Sequence, residues 1–351
     1  MYSFILILFF SFIFYRFFLS TDPLIANDWP LLFRESRDFS PFWSIAWDYM
    51  GQGGLGGPAF KTLWIDLYTN FVYFISNSTN LPWFLSQRIF WILPFIVLSI
   101  FSSYKFSGIF MKNSFLRTTS SIIYSFNTYI LLIVGGGQFG IAFAYSLSPL
   151  VLYYLIQLFI KPNFSNLGLP AILSGILIAL DPRVSLLTFL ISSIWYVIFV
   201  RNYGFKTLRI ILLNFIIAIL LNSYWILPIL ITRDSFSSLS SYTSLEGLKF
   251  LSFANFSNSF SLLHPNWPEN IFGKTYFLRP EFLFIPVLAF ASLLFKVKKE
   301  VLFFAVLALI GVFLGKGARD PFGEVYLYLF QFPGFNLFRD STKFFILIAI
   351  S

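Results

Sequence analysis

Between Phe139 and Ile160 the chain runs for twenty-two residues without a charged side chain, and apolar runs of 15 to 23 residues recur along its length. No other feature limits the fold as strongly. A helix rises about 1.5 Å per residue, so about twenty apolar residues cross a hydrocarbon core of about 30 Å. A helix on the surface of a soluble domain needs a polar face instead. Charged residues make up 11% of the chain, against about a quarter in a soluble domain, while 58% are hydrophobic and 22% aromatic. The expected fold class is all-α: a polytopic helical membrane protein with about 9–10 transmembrane helices. With no cysteine there is no disulfide, thiolate metal site or cysteine nucleophile.

Spanning helices are predicted near 2–19, 81–103, 118–134, 139–160, 168–180, 184–200, 208–231, 281–295 and 300–315. A tenth starts near Lys343 and is cut short at Ser351, so the reading expects more protein beyond it. The first segment has no basic n-region and no small-residue cleavage site, and reads as a retained helix.

Charge orients these segments. With the N-terminus in the cytoplasm, the inner loops carry Lys105, Lys112 and Arg117, then Lys161, then Arg201, Lys206 and Arg209, then Lys296, Lys298 and Lys299. Those ten basic residues face one acid, Glu300, and the other acids fall on the opposite side or at its edge. This is a positive-inside pattern. The net charge of +9 is spread between apolar runs rather than gathered in a patch, which argues against nucleic acid. The same alternation forbids the stretch "LWIDLYTNFVYFI" (63–75) from crossing, since crossing would invert every later loop. It is expected at the outer interface or as a re-entrant helix. The segments 168–180 and 184–200 form a short hairpin around "DPR" (181–183). One membrane domain, 1–351, is expected, with long outer loops at 20–80, 232–280 and 316–342 and a cell-membrane, multi-pass placement.

The first outer loop holds the densest chemistry. "NDWPLLFRESRDFSPFW" (27–43) sets Asp28, Arg34, Glu35, Arg37 and Asp38 among aromatic residues. Carboxylates between aromatic faces suit a sugar hydroxyl: the acid takes the proton or holds a divalent metal, and the rings pack on the sugar. The competing reading is solvated acids with an interfacial tryptophan belt. "MGQGGLGGP" (50–58) lacks the Lys-Ser/Thr of a phosphate loop and has no predicted strand before it, so it reads as a flexible turn between interfacial helices. Asp181 and Arg183 stand at the membrane edge, as a functional pair or as an ion pair closing the turn. Arg88 lies one or two turns inside the second span, where it could snorkel or meet a phosphate. His264, the one histidine, fits no zinc spacing and reads mainly as a hydrogen-bonding loop residue, with a ligand or catalytic role the lesser alternative. Arg339 and Lys343 flank Asp340 ahead of the last apolar run, as a phosphate clamp or an anchoring cluster.

A first helix, a long acidic outer loop with interfacial helices and a multi-spanning bundle together resemble the GT-C superfamily of membrane glycosyltransferases. The segments "NSYWILPIL" (222–230), "AYSLSPLVLYYL" (144–155) and "FPGFNLFRDSTKF" (332–344) resemble the group that includes the α-(1→3)-arabinofuranosyltransferases. The resemblance implies a catalytic acid in the first outer loop, a polyprenyl-phosphate sugar donor and a glycan, glycolipid or glycoprotein acceptor on the outer face. Adjacent acids are common in that loop in the superfamily; here none are adjacent, and no Asp-x-Asp occurs. On this reading Asp28 is the first choice of base. Asp38 is the second, either residue also serving as a ligand for Mg, Mn or Ca, and Arg34, Arg37, Arg88, Arg339 and Lys343 could meet the donor phosphate. Two other classes stay open: a transporter or flippase of a lipid-linked substrate, and a non-catalytic membrane scaffold.

Overall fold

The computed structural model describes residues 4–8, 11, 47–48, 54–55, 63–200, 205–232, 245–252, 254–262, 280–295, 298–332 and 334–351. Their regular structure is helical except for a two-residue antiparallel ladder in which β1 (Trp47–Asp48) pairs with β2 (Gly54–Leu55), Trp47 opposite Leu55. The ladder corrects the reading of the glycine-rich segment: a short strand does precede it, and that strand pairs with a second one within the segment.

The sequence predicts one domain; by contacts the chain forms two compact units, residues 1–125 with 133–237 and residues 126–132 with 238–351. Unit 1 contains α1 (Leu63–Ser78), α2 (Trp83–Ser107) and α3 (Ser114–Ser125). After α4 (Thr128–Gly135), whose first residues belong to unit 2, come α5 (Phe139–Ile160), α6 (Gly168–Leu180), α7 (Pro182–Phe199), α8 (Phe205–Leu221) and α9 (Ser223–Thr232). Among the described residues α2, α5 and α7 are long and apolar enough to cross a membrane, and α3 with α4 adds a fourth crossing if the pair is one broken span.

Two runs expected to be continuous are interrupted. Between α3 and α4 the Asn127 side chain accepts from Ile130 N at 3.2 Å, which starts a new helix, while Thr128 N donates to Leu262 O at 2.7 Å. Between α8 and α9 Asn222 Nδ2 donates to Ala218 O at 2.8 Å and to Gly175 O at 2.9 Å. A side chain thereby takes the carbonyl that the next helical amide would have used, and Asn222 N turns to Ile219 O.

On two helices of unit 1, small polar residues are buried beside the apolar core while apolar stripes are exposed. On α2 the exposed residues Leu85, Ile89, Leu93, Val97 and Phe101 recur every fourth position, while Ser86, Gln87, Ser99 and Ser102 are buried. On α7 Leu186, Leu190 and Ile194 are exposed and Ser185, Thr188 and Ser192 buried. Buried hydroxyls tie the helices together: Ser99 Oγ lies 2.8 Å from Ser125 Oγ, and Ser148 Oγ 2.7 Å from Thr188 Oγ1. Close packing through small polar residues is how helices associate where the surrounding solvent is itself apolar.

Inside α5, Pro149 has no N–H to give the carbonyl of Tyr145 four residues back. Tyr124 Oη supplies the missing donor at 2.6 Å, and Tyr145 Oη returns a hydrogen bond to Tyr124 O at 2.7 Å, the rings stacked 4.2 Å apart. The Tyr124 carbonyl needs a donor for a matching reason, since Thr128 N has gone to Leu262.

The two ends of unit 1 differ chemically. At one end Lys105 Nζ donates to Tyr154 Oη at 2.7 Å, Arg117 stacks 4.0 Å from the Tyr104 ring, Arg209 lies 5.7 Å from the Phe164 ring, and Leu158, Leu167 and Ile210 cluster. At the other end are Trp64, Gly140 and Leu180, where a Cβ on Gly140 would stand 3.1 Å from Leu180 O and 3.6 Å from the Trp64 ring.

In unit 2, α10 (Leu245–Phe250), α11 (Phe256–Phe260) and α12 (Phe284–Ala291) precede α13 (Lys299–Gly315), α14 (Gly323–Leu329) and α15 (Phe345–Ile350). Gly311 and Gly315, four apart on α13, admit α15 closely: a Cβ on Gly311 would lie 2.8 Å from Ile348 Cγ1, and one on Gly315 3.4 Å from the Phe345 ring.

Candidate functional site

Three constellations of charge lie among the described residues. The first is on the hairpin of α1 and α2. Five residues into α2 the helix widens to a π-turn, Arg88–Ile92, in which Leu93 N donates to Arg88 O. Such turns insert a residue into the ladder and often mark functional positions. Arg88 is buried, its Nη1 donating to Phe84 O at 2.7 Å and its guanidinium 5.6 Å from the Phe84 ring centre. Gln87 on the same helix and Thr69 and Asn70 on α1 are buried as well.

The second is the α6–α7 turn. Asp181 caps α7, accepting from Arg183 N at 2.8 Å and Val184 N at 3.1 Å, while Arg183 Nη2 reaches its Oδ2 at 2.6 Å. Pro182 at the first helical position loses no hydrogen bond there. Both carboxylate oxygens are engaged, as a turn-closing ion pair requires.

The third fills the segment between α13 and α15. Asp340 Oδ1 accepts from Thr342 N at 3.0 Å and Thr342 Oγ1 at 2.6 Å, and Lys343 Nζ donates to Asp340 Oδ2. Burial by itself would raise the Asp340 carboxyl, but the Lys343 charge and these hydrogen bonds outweigh it and hold it below its ordinary value. Lys316 is buried with its Nζ 2.7 Å from Arg319 O and 4.7 Å from the Phe313 ring centre, and burial pushes its ammonium down against a weaker opposing pull from Asp320. Arg319 Nε donates to Ser252 O at 2.5 Å, and Ser252 Oγ accepts from Ala318 N at 2.9 Å. Gly317, at φ +63°, is wedged between Ser252 and Ser341: an added Cβ would collide with Ser252 Oγ and stand 2.8 Å from Ser341 Oγ. Tyr326 Oη donates to Phe338 O, and Phe338 stacks on Phe344 at 4.8 Å.

Of the residues singled out in the sequence, Arg88, Asp181, Arg183, Arg339 and Lys343 are described, and Asp28, Arg34, Arg37, Asp38 and His264 lie outside the described residues. Lys343 is buried against Asp340, so a phosphate could reach its ammonium only by displacing that carboxylate. The sequence reading missed Lys316, Arg319 and Ser252; the Gly-Lys-Gly of 315–317 was the available signal. It also passed over the Gly311–Gly315 pair, whose spacing was visible. Among the described residues no three or more His, Cys, Asp or Glu side chains gather as a metal site. Compared with models of known protein families, with curated proteins and with solved structures, the chain matches none.

Proposed function

We propose that the chain is a multi-pass membrane protein of GT-C type with about nine or ten crossings, its N-terminus in the cytoplasm, that moves a sugar from a polyprenyl-phosphate carrier to a hydroxyl on a glycan, glycolipid or glycoprotein at the outer face. The observation that carries this reading is Arg88, a buried guanidinium in a π-turn five residues into an apolar span. Ionisable groups at membrane depth default to substrate contact, and a lipid phosphate is the anion found there. The end of unit 1 that carries Lys105, Arg117 and Arg209 then faces the cytoplasm. In the proposed step Asp28, or Asp38 in its place, takes the acceptor's hydroxyl proton. The oxygen bonds to the anomeric carbon, and the bond to the carrier phosphate breaks with its electron pair leaving on the phosphate oxygen, whose charge Arg88 meets.

The test is sugar transfer by the full chain in proteoliposomes loaded with a polyprenyl-phosphate sugar. Asp28→Asn should lower turnover by about 10²–10⁴-fold, and Arg88→Gln should weaken donor binding at least about tenfold. Full transfer by both Asp28→Asn and Asp38→Asn would remove the catalytic assignment. A transporter of a lipid-linked substrate is the second reading, favoured by Pro149 midway along α5 beside buried hydroxyls. It would translocate the labelled carrier without breaking the sugar–phosphate bond.

A further inference from the structure

We infer that the hairpin of α1 and α2 is inserted in the outer leaflet of the bilayer, with lipid acyl chains as the partner of its outward face. It rests on packing and exposure in unit 1 and on the proposed charge-based orientation, and does not depend on the transferase reading. By length and hydropathy α1 is not a spanning helix, and sequence alone leaves it either flat on the surface or re-entrant. Its packing decides between these. Tyr68 meets Trp91 edge to face at 4.8 Å and donates to Phe90 O, and the chain reverses at once where Leu81 N donates to Ser76 O at 2.9 Å. So α1 runs antiparallel alongside the first turns of a membrane-length helix.

The two faces of the hairpin are reversed relative to a surface helix. Leu67, Phe71 and Phe74 share one face of α1 and are exposed, Phe74 at 64%, while Thr69, Asn70 and Ser76 are buried. A helix lying on a membrane turns its polar side to water and its apolar side to lipid; this one turns its polar side to protein. On α2, Leu85, Ile89 and the stripe down to Phe101 are exposed as well. From Leu85 to Phe101 is sixteen residues, about 24 Å, most of a hydrocarbon core of about 30 Å. A local protein partner would not need a stripe of that length, whereas acyl chains do. The tip, Asn77-Ser78-Thr79-Asn80, is exposed and polar, as the headgroup level demands.

One consequence concerns depth. Trp91 contacts Phe139 at 5.3 Å, so the start of α5 is level with a residue eight positions, about 12 Å, below the beginning of α2. Leu180, beside Gly140, ends α6 at that same level. The Asp181–Arg183 turn therefore lies about that far below the beginning of α2, with both oxygens of its carboxylate paired.

The chain has no native cysteine, so single-cysteine variants report directly. Phe74→Cys and Leu85→Cys in membranes should resist a membrane-impermeant maleimide, react after detergent solubilisation, and, carrying bimane, lose most of their fluorescence in lipids brominated on the acyl chains. Ser78→Cys should react from the outside. Reaction of Phe74→Cys or Leu85→Cys from water as fast as Ser78→Cys would overturn the inference. So would protection without quenching by brominated lipid, which would mean that protein covers the face. Neither readout requires transferase activity.

Discussion

At the α6–α7 turn Asp181 is buried, 3% exposed, and its partner Arg183 reaches outward at 26%; ahead of α15 the order reverses, with Lys343 at 1% and Asp340 at 20%. The local design is otherwise shared. Each aspartate caps a helical turn by accepting a backbone amide two residues on, and each is paired with a cation within three residues. The difference shows that a capping motif does not determine which charge a turn presents. In unit 1 the guanidinium is the more exposed partner; in unit 2 the lysine is the buried one, and the carboxylate, held by Lys343 and Thr342, is the more exposed of the two. The outward-reaching cation of the two turns is thus Arg183, although the sequence points to Lys343.

The sharpest break of this comparison is Asp340→Ala, which strands a buried ammonium and should cost about 3–5 kcal/mol, read as a fall in the thermal midpoint of the detergent-solubilised chain. Asp181→Ala removes a cap but leaves an outward-reaching guanidinium, so it should cost only about 1 kcal/mol. If the two losses were equal, the asymmetry would have no energetic meaning. Next in size is Gly317→Ala. It combines a left-handed backbone with a collision at Ser252 and should cost about 2–3 kcal/mol, with the exchange protection of the Ala318 amide lost first. Arg183→Met leaves Asp181 two amide donors and should cost about 1.5–3 kcal/mol, and Arg183→Lys should recover only part of it because the fork to both carboxylate oxygens is gone.

The smallest effect is in pH. Because the folded Asp340 carboxyl sits below its unfolded value of 3.8, the stability it contributes is complete above that value and is lost as pH falls through the lowered folded value. Protection of the Thr342 amide should persist to pH below 3.8 and then collapse; Lys343→Met should move the collapse upward. Loss of protection at the ordinary carboxylate pH in the unaltered chain would mean that the pair does not hold the acid.

Much of the helix pattern was legible because an apolar run between charges has few alternatives. The limits of α5, Phe139–Ile160, coincide with the run read from sequence, and α13 begins one residue before and ends at the predicted boundary. The breaks were not legible. Asn222 and Asn127 sit within apolar stretches, and whether a buried asparagine continues a helix or ends it depends on which carbonyl its side chain can reach, here Ala218 and Gly175 on a neighbouring helix. The π-turn at Arg88 leaves no mark in composition. The ion pair at Asp181 was legible as one of two readings, since a carboxylate beside proline at a helix start is a recognisable cap. The burial of Lys343 was not, because it follows from the irregular folding of 335–344, which no apolar periodicity announces.

The exchange of phenols between Tyr124 and Tyr145 also bears on biogenesis. Each hydroxyl stands in for an amide that the other helix lacks, one missing at Pro149 and one at the break after Ser125. Alone in hydrocarbon, either segment would carry a naked carbonyl at a cost of several kcal/mol. If the chain crosses a membrane as proposed, residues 114–160 should leave the insertion machinery as one package, the earlier segment waiting at the lateral gate until the later one arrives. Tyr124→Phe would leave the Tyr145 carbonyl without that donor and the package incomplete, visible as a longer dwell of the nascent chain against the translocation channel.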